Sequence, residues 1–169
     1  FVSKEAFNID GLGKKIVENF WKIKLIKFPQ DIFKLDYNKI ENLEGWGKLS
    51  VENLKYSINE KKNISLERLI YALGIRHIGL ENAKLLSRYF KSFQSFNNLS
   101  KLNKYHELLN IDGIGETQIN SLLNFFSNSI NLMVIEKLIK VLNIQDYNSA
   151  HIKGKLNKKT FMFTGKLEN

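Results

Sequence analysis

Four short segments of the chain share one arrangement: an apolar residue, two further residues, another apolar residue and a glycine. They are Ile9-Asp10-Gly11-Leu12-Gly13, Leu43-Glu44-Gly45-Trp46-Gly47, Ile75-Arg76-His77-Ile78-Gly79 and Ile111-Asp112-Gly113-Ile114-Gly115. Glycine at the third position lets the backbone enter a left-handed turn. The apolar residue after it plugs the gap between two helices. The closing glycine starts the next helix with no side chain in front of it. Unpaired N–H groups and the positive end of the helix dipole attract anions there. A phosphodiester fits such a site, and the contact carries no sequence information. The candidate backbone positions are therefore Gly11, Gly13, Gly45, Gly47, Gly79, Gly113 and Gly115. The candidate side chains are Lys14 and Lys15 behind the first turn, Lys48 behind the second, Arg76 and His77 within the third, and Thr117 behind the fourth. His77 replaces the glycine of the other turns, so a different turn is expected there. Glu116 opposes phosphate at the fourth, although the Thr117 hydroxyl can still donate.

The closing glycines lie at 13, 47, 79 and 115, which is 34, 32 and 36 residues apart. Each is expected to follow a short helix and open a longer one, the helix-hairpin-helix arrangement. A single such segment is only a compact helix–helix turn. Four in register carry more weight, and the composition agrees with them. The chain has 26 Lys and Arg against 17 Asp and Glu, a net charge of +9 that suits a polyanionic partner. With no cysteine, disulfides, cysteine–zinc sites and cysteine nucleophiles are excluded within the chain. No apolar run approaches the roughly 20 residues that span a bilayer.

The elements that must position these turns read as helices. One proline and 3.6-residue apolar periods predict an all-α body. Helices are expected over 14–24, 48–63, 66–73, 80–90, 101–109, 116–127 and 131–142, with short ones at 31–35, 37–43 and 93–98. Trp21 and Trp46 read as core plugs, and His106 and His151 as solvated. No histidine has metal-ligand spacing with a carboxylate, so no metal site is expected. No Lys-x-Asp-Gly, phosphate loop or nucleophile elbow occurs, so no catalytic residue is assigned. After Leu142 the texture becomes polar. Residues 1–143 are taken as a DNA-binding domain of four hairpins and 144–159 as a linker. The β-prone run Thr160-Phe161-Met162-Phe163-Thr164-Gly165 places the start of an incomplete second, α/β domain at 160–169.

Together these residues resemble a known family. The runs FNIDGLGKKIVENF, LEGWGKLSVENL, LERLIYALGIRHIGLENAKLL and IDGIGETQINSLLNFF are similar to the helix-hairpin-helix domain of bacterial NAD+-dependent DNA ligases. ALGIRHIG is the most specific of them. The tail GKLNKKTFMFTGKL resembles the first strand of the BRCT domain that follows in that family. The first residue is Phe1 and not Met, so the chain is expected to be a piece of a longer protein. The resemblance implies that the longer protein seals nicks in replication and repair, through enzyme-adenylate and DNA-adenylate intermediates. It implies that the adenylation lysine, the sites for NAD+ and Mg2+ and a four-cysteine structural Zn2+ module lie outside this chain. This chain alone is then inactive and binds no cofactor. Its expected partner is nicked double-stranded DNA, gripped across the minor groove by a cytoplasmic, nucleoid-associated monomer with no membrane contact. Two alternatives stay open. One is the tandem-hairpin region of another repair protein of the excision-nuclease type. The other is a protein-interaction scaffold whose hairpins no longer meet DNA.

Overall fold

Helices form where apolar stripes meet a helix-starting residue. The structure is a computed structural model and describes residues 1–99 and 105–148. Its helices are α1 (Lys14–Lys22), α2 (Tyr37–Glu41), α3 (Lys48–Glu60), α4 (Leu66–Ala72), α5 (Leu80–Phe90), α6 (Phe93–Asn97), α7 (Glu116–Ser127) and α8 (Ser129–Ile139). Single 3-10 segments cover Pro29–Lys34 and Tyr105–Asn110. The body is helical, as the periodicity predicts. α1 stops short of residue 24 because Lys24 turns left-handed, with φ of 60°. The chain reverses there, and the Leu25 N–H donates to the Phe20 carbonyl at 2.8 Å. Pro29 moves the next segment forward, since its fixed φ suits a helical first position. The Asp31 carboxylate completes that start by accepting from the Lys27 and Phe28 amides at 2.9 and 2.8 Å.

Two further features of the fold differ from the sequence expectation. The first turn is not preceded by a helix: residues 3–7 form hydrogen-bonded turns, with the Ala6 and Asn8 amides both donating to the Ser3 carbonyl. Asn143–Gln145, where the domain is expected to pass into a polar linker, is a strand, β2, parallel to β1 (Asn63–Ser65). Three residues with one apolar position give no alternation to read. The pairing sets Ile64 opposite Ile144, and the Asn143 side-chain amide donates to Asn63 at 2.7 Å. Two such short strands are not stable alone. They hold because the flanking helices hold them, and the chain stays on the body as far as the Tyr147 amide, which donates to the Lys91 carbonyl at 2.7 Å.

The apolar residues sort into two cores. Leu12, Phe20, Ile40, Leu54 and Ile58 lie in the first, which unites hairpins 1 and 2. Ile78, Ala83, Leu86, Ile114 and Leu122 lie in the second, which unites hairpins 3 and 4. α4 serves both: Leu69 and Ala72 enter the first core, Leu66 and Ile70 the second. These pairs sit three and four residues apart on adjoining sides of one broad apolar face, whose two edges meet the two cores, while Glu67 and Arg68 take the rest of the helix. α8 crosses the junction again, with Ile135 in the second core and Leu138 in the first. Among the described residues no helix is long and apolar enough to cross a membrane. The expected β-prone run at 160–165, the rest of the linker from residue 149, His151 and the first turn of the helix predicted over 101–109 lie outside the described residues.

Candidate nucleic-acid interface

The four turns have one backbone geometry. In each, the amide of the plug residue donates to the carbonyl three residues earlier: Leu12 to Ile9 at 3.2 Å, Trp46 to Leu43 at 3.1 Å, Ile78 to Ile75 and Ile114 to Ile111 at 3.0 Å. The third residue of each turn is left-handed, with φ of 79° at Gly11, 80° at Gly45, 59° at His77 and 90° at Gly113. The different turn expected at His77 is therefore not found. Histidine is among the non-glycine residues that enter this region most readily, and the Asn82 side-chain amide braces the turn by donating to the His77 carbonyl at 3.0 Å. The plugs behave as read from sequence at Leu12, Ile78 and Ile114, which are buried. Trp46 is half-buried and lies tilted against Phe20, ring centroids 5.6 Å apart.

Each turn delivers its closing glycine to a helix start. Gly13, Gly47, Gly79 and Gly115 are extended N-caps of α1, α3, α5 and α7. Their carbonyls accept the first helical bonds, from Val17, Val51, Ala83 and Ile119 at 2.9 to 3.1 Å. A Cβ at Gly13, Gly47 or Gly79 would meet nothing within 4 Å, so the space in front of these three helix ends is open. The amides of the first helical turn, which have no intrahelical acceptor, face that space. At Gly115 the nearest atom is the Gln118 Oε1, 3.5 Å from such a Cβ.

The hairpins differ in charge and in what already occupies their amides. No acidic residue lies in the first turn of α1 or α3. Lys14, Lys15 and Lys48 are exposed around them, with Lys14 only loosely paired to Glu18 at 3.9 Å. Arg76 and His77 are exposed at hairpin 3, where the Glu81 carboxylate is bound by Lys84 at 2.7 Å. Hairpin 4 has exposed Asp112 and Glu116 and no lysine or arginine from residue 105 to 136. Thr117 is exposed beside Glu116. The Gly47 amide donates to the Ser50 hydroxyl at 2.9 Å and the Gly115 amide to Gln118 at 3.1 Å. At hairpins 1 and 3 the corresponding residues, Ile16 and Asn82, accept nothing from the glycine amide among the described residues. Ser50 and Gln118 escaped the sequence reading, although an acceptor three residues after a helix N-cap is a legible half of a capping box.

Trp21 is a correction. Expected as a core plug, it is 63% exposed. On α1 the inward stripe runs through Ile16, Val17 and Phe20. The next residue lies about 100° further round the helix and leaves the core. Trp21 instead walls an apolar groove with Phe1, Val17, Ile26 and Phe28. His106 is exposed, as read from the sequence.

A model of the helix-hairpin-helix motif matches residues 68–135, which hold hairpins 3 and 4. Hairpins 1 and 2 fall outside that match and repeat the same turn. Over 167 residues, 99% of this chain, the sequence is 64% identical to a DNA ligase of Pelagibacter ubique (strain HTCC1062). The chain is homologous along its length to a segment of DNA ligases. Ligases of Rickettsia canadensis (strain McKiel) and Rickettsia bellii (strain RML369-C) are 46% and 45% identical over 179 aligned positions, again 99% of the chain. The chain spans about a quarter of the length of these relatives, 25% and 26%. With a ligase segment as the frame, the two cores are the mounts of two hairpin pairs. At their turns the pairs expose Gly11, Gly13, Gly45, Gly47, His77, Gly79 and Gly113, with Gly115 half-buried.

Proposed function

We propose that this chain is the duplex-gripping segment of an NAD+-dependent DNA ligase and binds nicked double-stranded DNA through backbone phosphates, without sequence preference. The observation that carries the reading is the fourfold repeat of one turn, each copy presenting a side-chain-free helix start. Hairpins 1 and 2 supply the strongest grip, since they combine three exposed lysines with acid-free first turns. Hairpin 3 adds Arg76 and His77, and hairpin 4 contributes amides and the Thr117 hydroxyl against the charge of Glu116. The resemblance that adds NAD+ dependence assigns adenylation, with its lysine, NAD+ and Mg2+, to parts of the longer protein beyond this chain. The structural Zn2+ module and a BRCT domain beginning near residue 160 belong to the same proposal. On this reading the chain alone seals no nick. It acts as a monomer in the cytoplasm, on nucleoid DNA, and its role in replication and repair is to hold the duplex while the rest of the enzyme closes the break.

Each hairpin neutralises about one phosphate, so the logarithm of the binding constant should fall with the logarithm of salt concentration at a slope near −3 to −4. Fluorescence anisotropy with two duplexes of unrelated sequence at several salt concentrations measures it. Equal affinity for the two duplexes and a slope in that range are expected. A strong preference for one sequence, or a flat salt profile, would overturn the reading.

A further inference from the structure

The inward stripe of α3 runs through Val51, Leu54 and Ile58, and one polar residue interrupts it: Ser57, 8% exposed. Alanine would fill the same space without desolvating a hydroxyl, so the hydroxyl needs a partner to offset its burial. That partner is in another hairpin. The Asp10 amide, within the first turn, donates to the Ser57 Oγ at 2.8 Å across 47 residues of sequence. One helical turn away, the Leu54 Cδ1 lies 3.7 Å from where a Cβ on Gly11 would stand. The first turn therefore rests on α3 through one hydrogen bond, beside the core that Leu12 shares with Leu54, and next to Gly11, whose left-handed φ sets the direction of α1. Among the described residues, the equivalent amides of Glu44, Arg76 and Asp112 have no such long-range side-chain acceptor. The turn of hairpin 4 also lies against its neighbour's helix, with the Leu85 Cδ1 of α5 3.0 Å from where a Cβ on Gly113 would stand, but among the described residues only hairpin 1 adds a side-chain hydrogen bond.

We propose that Ser57 is a positioning residue: its hydroxyl fixes the first turn against α3, so that the helix starts at Gly13 and Gly47 engage backbone phosphates as one rigid pair. The inference rests on the phosphate-binding role proposed above for hairpin 1. It adds a residue on α3 that the turn pattern does not contain. Pinning matters because two phosphate contacts made by a rigid pair avoid the ordering cost that each would bear alone.

The test is a double-mutant cycle on the full chain, read by duplex anisotropy, together with amide exchange at Asp10. Ser57→Ala should weaken duplex binding about three- to tenfold, the worth of one hydrogen bond. It should also raise the exchange rate of the Asp10 amide. Ser57→Thr, which keeps the hydroxyl, should restore most of the affinity. In a Gly13→Val background the Ser57→Ala effect should vanish, because the site that Ser57 positions is already blocked. If Ser57→Ala binds as tightly as the parent chain, or if its effect persists undiminished beside Gly13→Val, Ser57 is only a packing residue and the proposal is wrong. If Gly13→Val itself leaves binding unchanged, the failure lies in the phosphate reading of hairpin 1, and the proposal falls with it.

Discussion

Replacing Leu12 by alanine is expected to lower the stability of the chain by about 2–5 kcal/mol. Leu12 is 1% exposed and belongs to the core that also holds Phe20, Leu54 and Ile58. Its amide makes the bond that closes the first turn. Truncation keeps that bond and removes the side chain, so the loss is one of transfer and cavity. Ile114, 4% exposed at the equivalent place in the second core, should behave alike. A cost of this size is a large fraction of the total for a domain of ordinary stability. Denaturant titration with the slope held common between variants reads it. A loss below about 1 kcal/mol at both positions would mean that the plugs do not hold the hairpins together.

Gly13→Val and Gly47→Val should have the opposite profile, with little loss of stability and a large loss of binding. Both glycines are extended, at φ of −73° and −138°, conformations that valine adopts without strain. A Cβ at either meets nothing within 4 Å. The folded chain therefore accommodates the branched side chain at a cost of about 1 kcal/mol or less, that of a poorer N-cap. The same branch occupies the space where a phosphate oxygen would approach the helix amides. Losing a charge-assisted hydrogen bond is worth about 1.5–3 kcal/mol, so each substitution should weaken duplex binding about tenfold or more. The double variant should lose most of the affinity and flatten the salt profile. Anisotropy measured beside thermal melting separates the two effects. Variants that stay folded and bind normally would make these hairpins structural turns only.

The turns were legible in the sequence because their cause is local. A left-handed residue, a plug and a side-chain-free helix start must follow one another along the chain, and three of the four turns spell this out with glycine. At hairpin 3 the residue type of His77 suggests a different turn, while the hydrogen bonds around it impose the same one. Most helix starts were legible for the same local reason, as the match at 80–90 and 116–127 illustrates. What escaped depends on partners distant in sequence. β1 and β2 each lack a pattern and exist through pairing across 80 residues, as the bond between Asn63 and Asn143 records. The two-core division turns on α4 facing both ways, which an apolar stripe of seven residues does not announce. Trp21 reads as core from its residue type, while its position beside Phe20 on the helix turns it outward. Ser57 looks like an ordinary helix serine until the first turn is folded onto it.

The central claim is that backbone amides at the four helix starts hold DNA phosphates, and amide chemical shifts read those groups directly. An isotope-labelled chain titrated with a short nicked duplex at low salt should show its largest shifts at residues 13–16, 47–50 and 79–82. Smaller ones are expected at 115–118, where acidic residues oppose phosphate. Raising the salt concentration should return all of them toward the free positions. Unmoved amides at these starts, with the largest shifts instead along the β1–β2 strands or around the groove beside Trp21, would contradict the account.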